Sequence, residues 1–358
     1  AAAISAFSCS AASAASSSAK SSSSDLPPAS SLNGSLRCPV TNAMRLINSE
    51  VACSSRMAKP AGSSAHTGQR IKPPAFWLIS FGSALGFAVS AAELASLAPE
   101  ILLAAAGTAL LLLEAFAPSL RRAFVPLAVA AVAGAAWLTL GQATGTSFHE
   151  LIESTPLTAA FAQAILAATA ISLLASPGFL ARERMLAGEY PALVLWCASG
   201  LLLLVRGTEL LVIFLALELF SVALYGLAAF HRRSAVSAEA GLKYFLMGAF
   251  VSAFVLYGIA LLYGETGSTR LDGIASALAA GSGAPGLAIL GFLLVASGFA
   301  FKLSLVPFHA WAPDVYQGAP TPFVAFLSVA PKNTSAVVLV RVVQIAADSP
   351  VGARWPHL

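Results

Sequence analysis

From residue 99 onward the apolar residues of this chain come in successive blocks of about 20. A helix rising about 1.5 Å per residue crosses a hydrocarbon core of about 30 Å in a block of that length. No other feature constrains the fold as tightly. In lipid, a block of this kind has to close its own backbone hydrogen bonds, and the helix does that within one segment. Composition agrees: 58% of residues are hydrophobic and only 10% charged, against about 25% charged in an ordinary soluble domain. The chain therefore reads as all-α, a polytopic transmembrane helical protein. A soluble enzyme and a disordered chain are both excluded.

Punctuation sets the bounds of eight spans, at about 99–117, 123–141, 157–176, 190–206, 208–230, 238–263, 286–306 and 321–347. Pro118 closes the first, Ser176-Pro177-Gly178 the third, His231-Arg232-Arg233 the fifth and Gly264 the sixth. The longest polar connection is about 264–285, and no soluble domain is inserted. Basic residues favour one side. Arg121/Arg122, Arg182/Arg184 and Arg232/Arg233 follow spans one, three and five, while 142–156 holds no Lys or Arg. The positive-inside rule puts the first group on the cytoplasmic or matrix side, so span one enters from outside.

Residues 1–75 are different: rich in Ser and Ala, with seven Lys or Arg against two acids. That composition buries too little apolar surface to offset backbone ordering. It reads as a disordered extension, with an organelle transit segment and a non-native extension as alternatives. Residues 76–97 are an uncertain apolar segment, and 98–358 form the transmembrane region. Because the basic excess lies in this front part, the net charge of +4 gives no case for nucleic-acid binding. The cysteines show no CxxC spacing or pairing with histidine, and neither phosphate-loop nor dinucleotide glycine patterns occur. No metal or bound cofactor is expected of this chain.

Four charges sit where lipid depth should forbid them. Glu218 lies in LVIFLALELFSVALYGLAAF, Lys243 in EAGLKYFLMGAF one turn after Glu239, Lys302 in GFAFKLSLVPFHAW, and Lys332 directly after Pro331. Each would cost at least about 2.5–3.5 kcal/mol facing lipid, so each has to face protein or water. A static pair that only packs helices is the simpler reading. A proton relay is the other, since burial favours the neutral form, a nearby opposite charge favours the ionised form, and moving the partner switches the group. Pro307 and Pro313 break the end of span seven, and Pro331 lies inside span eight; irregular backbone at membrane depth marks buried or wet places. His309 stands seven residues after Lys302, two turns along one face if the helix continues, and an imidazole suits a connector between lysines. Asp314 reads as a cap or latch on the broken segment.

Several stretches carry a specific resemblance. FKLSLVPFHAWAPDVYQGAPTPFVAFLSVAPK (301–332) resembles the central signature of the antiporter-like membrane subunits of respiratory NADH:quinone oxidoreductase, complex I. LELFSVALYGLAAF (217–230), SAEAGLKYFLMGAFVSAFVLYGIALLYGETG (237–267) and the opening APEILLAAAGTALLLLEAF (98–116) are similar to its subunit N, or subunit 2, branch. The resemblance implies an antiporter-like fold with a discontinuous helix seven and two inverted repeats, the second largely missing from this chain. It implies a proton relay in which Glu218 pairs with Lys243, Lys302 is the central lysine, Lys332 the connecting one, and His309 a polar connector. The distal lysine of broken helix twelve has no counterpart here, and Asn333-Thr334-Ser335 is more polar than in relatives.

The function so implied is proton translocation coupled to quinone reduction elsewhere in the complex. This chain would be a non-redox subunit of the translocase, with NADH, FMN, iron–sulfur clusters and quinone (ubiquinone among them) handled by other subunits. Its expected partners are other membrane-arm subunits, in a hetero-oligomer, and membrane lipid. The membrane would be a bacterial inner membrane, or a mitochondrial inner or other organelle membrane if the extension is a transit segment. Two alternatives stand beside it: a subunit of a multisubunit Na⁺/H⁺ antiporter, and a structural membrane subunit without its own proton path.

Overall fold

A computed structural model describes residues 90–185, 188–281, 285–349 and 352, all within the unit Pro73–Leu358. The Ser/Ala-rich extension and the apolar stretch 76–89 lie outside the described residues. Eight of the described helices are long and apolar enough to span a membrane. They are α2 (Ala98–Phe116), α3 (Arg121–Leu140), α4 (Pro156–Arg182), α5 (Glu189–Arg206), α6 (Leu210–Ala228), α7 (Ala235–Thr266), α9 (Pro285–Leu303) and α11 (Thr321–Asp348). Three shorter helices complete the set: α1 (Ala91–Ser96), α8 (Leu271–Ala279) and α10 (Trp311–Gly318). The protein is a multi-pass helical membrane protein, and its spans coincide with the apolar blocks of the sequence.

Local signals start these helices. Thr155 and Thr158 bond reciprocally across the first turn of α4, and the Ser234 hydroxyl accepts from the Ser237 amide at the start of α7. Each satisfies an amide that the first turn would leave without a partner. At the far end of α7, Gly267 takes a left-handed conformation (φ 69°), which costs a glycine nothing sterically.

Helix α5 occupies the middle of the bundle, flanked by α2, α4 and α6, and its residues from Leu201 to Val205 are buried apart from Leu203. The Trp196 indole donates to the Ala104 carbonyl at 3.1 Å, joining α5 to α2. Helices α7 and α9 come together closely where two glycines face each other. A Cβ on Gly258 would stand 2.7 Å from the Gly291 carbonyl oxygen, so only bare backbone fits there.

Five sequence expectations need correction. Span six does not close at Gly264; α7 runs on to Thr266 and is capped by Gly267. Span three does not close at Ser176-Pro177-Gly178; α4 runs on to Arg182. Pro177 takes away the amide that would bond the Leu173 carbonyl, and the Ser176 hydroxyl donates to that carbonyl instead, at 2.8 Å. Helix α11 is likewise continuous through Pro331, so Lys332 follows no break. The connection 264–285 carries α8, whose Leu271, Ile274 and Leu278 are buried on one face. The loop 142–156 forms a two-stranded antiparallel hairpin, β1 (Gly145–Ser147) with β2 (Ile152–Ser154), Thr146 opposite Glu153.

The loops of the bundle sort to its two ends, with the hairpin and the α8 connection together at one of them. The hairpin, the α5–α6 turn and residues 268–271 are stitched together by Thr208 N–H to Leu151 O (3.0 Å), Leu210 N–H to Thr269 O (2.9 Å) and Leu271 N–H to Thr208 O (3.0 Å). At the other end Arg121 pairs with Glu114 at 2.5 Å and Arg232 with Glu189 at 3.0 Å. The basic loops of the sequence thus share one end.

The expected interruption of span seven is present. Helix α9 stops at Leu303, and turns carry the chain through 304–310, with a cis peptide before Pro307, into α10. The stop is a capping motif: Ser304 adopts φ 59°, its amide bonds the Phe301 carbonyl at 3.0 Å, and the Leu305 amide reaches the Ala300 carbonyl at 2.9 Å. Trp311, the first residue of α10, donates from Nε1 to the same Phe301 carbonyl at 2.9 Å. Two donors on one carbonyl hold the broken ends in register.

Candidate functional site

Lys302 sits in the last turn of α9 and is 3% exposed. Its Nζ lies over four aromatic rings: Tyr225 at 5.1 Å, Tyr244 at 5.2 Å, and Phe220 and Phe301 each at 5.3 Å. These distances are within cation–π range, where the negative ring faces attract an ammonium. Among the described residues no acceptor lies within hydrogen-bond reach of Nζ. The carboxylate whose charge bears on it is Glu218, and the buried Cys197 thiol is near enough to interact with it electrostatically. The cage draws on three helices besides α9: α5 gives Cys197, α6 gives Glu218, Phe220 and Tyr225, and α7 gives Tyr244.

The rings brace one another. Tyr225 meets Tyr244 edge to face at 4.9 Å, and Trp311 stacks on Tyr244 at 4.3 Å with planes 18° apart. Trp311 in turn meets Tyr316 of α10 at 6.5 Å, and Lys332 Nζ of α11 lies 5.3 Å above the Tyr316 ring. Lys302 and Lys332 are therefore joined by one aromatic run: Tyr244, Trp311, Tyr316. Glu218, half-buried on α6, accepts a hydrogen bond from the Ser252 hydroxyl of α7.

The expected pairing of Glu218 with Lys243 is not what forms. Lys243 is 45% exposed and its Nζ bonds Glu239 Oε1 at 2.7 Å and Asp314 Oδ2 at 2.8 Å. The physical reason is reach. Glu239 lies one turn back on the same helix face, and α10 brings Asp314 across to it. Asp314 is thus a latch between α10 and α7, as its place after Pro313 suggested. His309 is exposed in the turn between α9 and α10. The helix does not continue from Lys302, so the shared face on which its connector role rested does not exist.

The sequence reading missed two things. The first is the set of rings around Lys302; aromatic residues in apolar spans are common, and nothing in their spacing marks four that converge. The second is a buried ion pair at the hairpin end. Arg206 Nη1 bonds Glu100 Oε1 at 2.5 Å, and Nη2 donates to the Ser96 carbonyl (2.9 Å) and the Ser154 hydroxyl (3.0 Å). An Arg ending one apolar span and a Glu in the first turn of another were the available signals. No group of three or more His, Cys, Asp or Glu able to hold a metal occurs among the described residues.

With this geometry in view, residues 207–355 match the family described as NADH:quinone oxidoreductase/Mrp antiporter, TM. The chain is 39% identical over 264 residues to NADH-quinone oxidoreductase subunit N of Trichlorobacter lovleyi, covering 73% of this chain and 54% of that relative. It is 42% identical over 259 residues to subunit N of Paramagnetospirillum magneticum, covering 70% and 53% respectively. The chain therefore spans about half the length of the curated relatives it matches. Among solved structures it superposes on a chain of respiratory complex I from Thermus thermophilus with a TM-score of 0.55 and 34% identity, over 68% of this chain and 52% of that one. A chain of the Mrp complex from Dietzia matches with a TM-score of 0.58 at 23% identity, over 72% of this chain and 29% of that one. That likeness is one of fold, and the antiporter-like fold expected from the sequence is the one present.

Proposed function

We propose that this chain serves as a proton-translocating, non-redox part of the membrane arm of an NADH:quinone oxidoreductase, with Lys302 as the central proton carrier. One observation carries the reading: an ammonium buried among four rings, beside a broken helix and without a hydrogen-bond acceptor of its own. Cation–π contact holds such a charge without committing its protons to an acceptor. The group can pass a proton on without first parting from a tight ion pair. Arginine cannot serve in this way, because it does not deprotonate in proteins.

Roles follow from position. Glu218 acts on the charge of Lys302 through space and takes the modulating part that the resemblance gave it toward Lys243. Lys332 is the next carrier along the aromatic run. Lys243, held by two carboxylates and exposed, is a positioning residue that fixes α10 through Asp314. His309 stays outside this path. The NADH, FMN, iron–sulfur and quinone chemistry belongs to other subunits, and the partners of this chain are the other subunits of the membrane arm. The names of the relatives favour this assignment over a multisubunit Na⁺/H⁺ antiporter.

The test is proton pumping per electron in vesicles containing the assembled complex with Lys302→Ala. Pumping should be lost and quinone reduction slowed, with assembly retained on a native gel. Normal assembly with unchanged pumping and turnover would remove Lys302 from the path and favour a structural role.

A further inference from the structure

At the basic end of the bundle a groove of about 780 Å³ runs between α3 and α4. Its walls are almost wholly apolar. Val129, Ala130 and Ala133 of α3, Leu174 and Leu180 of α4, and Pro191 at the start of α5 all line it. Two helix-interior prolines, Pro126 and Pro177, line it from opposite sides. The alanines leave a slot in which larger side chains would interdigitate. Its flanks are outer surface, with Leu127 49% and Leu174 65% exposed, so in a spanning bundle the slot opens on lipid.

The mouth is not apolar: Arg121 and Arg122 line it. Glu114 compensates Arg121 at 2.5 Å. Among the described residues no carboxylate lies within ion-pair distance of Arg122, and its side chain is exposed. Both arginines begin a spanning helix, at the depth where the phosphates of a leaflet lie. A guanidinium there offers paired N–H donors that match phosphate oxygens.

From this we infer that the α3–α4 groove is a binding site for an anionic phospholipid, one acyl chain lying in the slot and the phosphate on Arg122. The charge of the mouth decides the class. A zwitterionic lipid, whose own ammonium offsets its phosphate, or an apolar helix of another protein would fill the slot equally well but gain less from an uncompensated arginine. The inference rests on the membrane topology and not on the proposed proton path, so either can fail alone.

The full chain, reconstituted in phosphatidylcholine vesicles, tests this with two photoactivatable probes bearing the reactive group on an acyl chain: a phosphatidylglycerol and a phosphatidylcholine. Cross-linked peptides are mapped by mass spectrometry, with the exposed face of α6 as the internal reference. The phosphatidylglycerol probe should label the groove peptides of α3 and α4 about five-fold more than the phosphatidylcholine probe, the preference expected for one basic residue at the headgroup level. Arg122→Gln should abolish that preference and Arg122→Lys should keep part of it. Ala133→Phe, which fills the slot, should lower groove labelling by both probes and leave the α6 reference unchanged. Equal labelling by the two probes, a preference that survives Arg122→Gln, or groove labelling untouched by Ala133→Phe would each overturn the inference.

Discussion

Two cations in this bundle are each only 3% exposed, and they are treated in opposite ways. Arg206 is fixed: Glu100, the Ser96 carbonyl and the Ser154 hydroxyl take up its two terminal nitrogens, and the hairpin closes over them. Lys302 has no such partner and is surrounded by ring faces. Burial alone therefore does not say whether a charge is a rivet or a carrier. The number of fixed acceptors does, together with whether the side chain can lose its proton at all. Arginine is the residue for permanent pairing, and lysine the one whose charge can change.

The widest separation between the two should come from deleting each charge. Lys302→Ala is expected to abolish pumping with little loss of assembly, for the reason given above. Arg206→Gln should do the reverse. It strands Glu100 in an apolar interior, where breaking a buried pair costs about 3–5 kcal/mol. The check is thermal denaturation in detergent. The midpoint should fall clearly for Arg206→Gln, and the double replacement Glu100→Gln/Arg206→Gln should recover part of it. If the single variant were as stable as the parent, the rivet reading would be wrong.

A smaller effect is expected at the cage wall. Tyr244→Phe keeps the ring and should leave proton translocation near the parent rate. Tyr244→Leu removes one cation–π contact, worth about 0.5–2 kcal/mol, and unseats Trp311, so turnover should fall. Parent rates in both variants would show that the hydroxyl and the ring are both dispensable. Next comes the latch. Lys243→Ala and Asp314→Ala should each slow turnover by loosening α10, and the exchange Lys243→Asp/Asp314→Lys should restore part of it, which a lost proton carrier would not allow. Measured rates for the three variants distinguish these cases.

The smallest effect belongs to the exposed pair at the hairpin end. The Arg270 guanidinium bonds both oxygens of Asp272 and holds its carboxyl below the usual aspartate range. A carboxyl lowered in this way contributes stability that is present at neutral pH and is lost only as pH falls through the lowered value. Solvent screens it, so Asp272→Asn should cost no more than about 1 kcal/mol at neutral pH. Thermal midpoints at pH 7 and at about pH 2, where an aspartate carboxyl is protonated in both folded and unfolded chains, should show the difference between variant and parent shrinking toward the acid side.

How much of this was legible beforehand depended on whether a signal was local. The spans were legible because each carries its own length and apolarity. Lys302 was too, since a lysine at lipid depth is conspicuous and the prolines after it announced a break. Pro177 misled because its compensation comes from Ser176, a hydroxyl that looks like any other in the chain. Lys243 misled for a related reason. Glu239 was within sight one turn away, but Asp314 reaches it only once α10 has folded back, 71 residues further along. The rings around Lys302 come from three helices, and a residue-by-residue reading has no means of adding them together. Helix α8 and the hairpin were hidden in stretches too polar to draw attention.

Trp311 serves two structures at once. Its indole nitrogen fastens the broken end of α9, and its ring face lies flat on Tyr244 beside the lysine. A lever with its fulcrum at the Phe301 carbonyl would have this shape, with the short arm inside the cage and the long arm running out along α10 to Asp314. A tilt of that outer arm cannot leave the inner one still. The electrical surroundings of a single buried ammonium are in this way geared to the mechanical position of an eight-residue helix at its side.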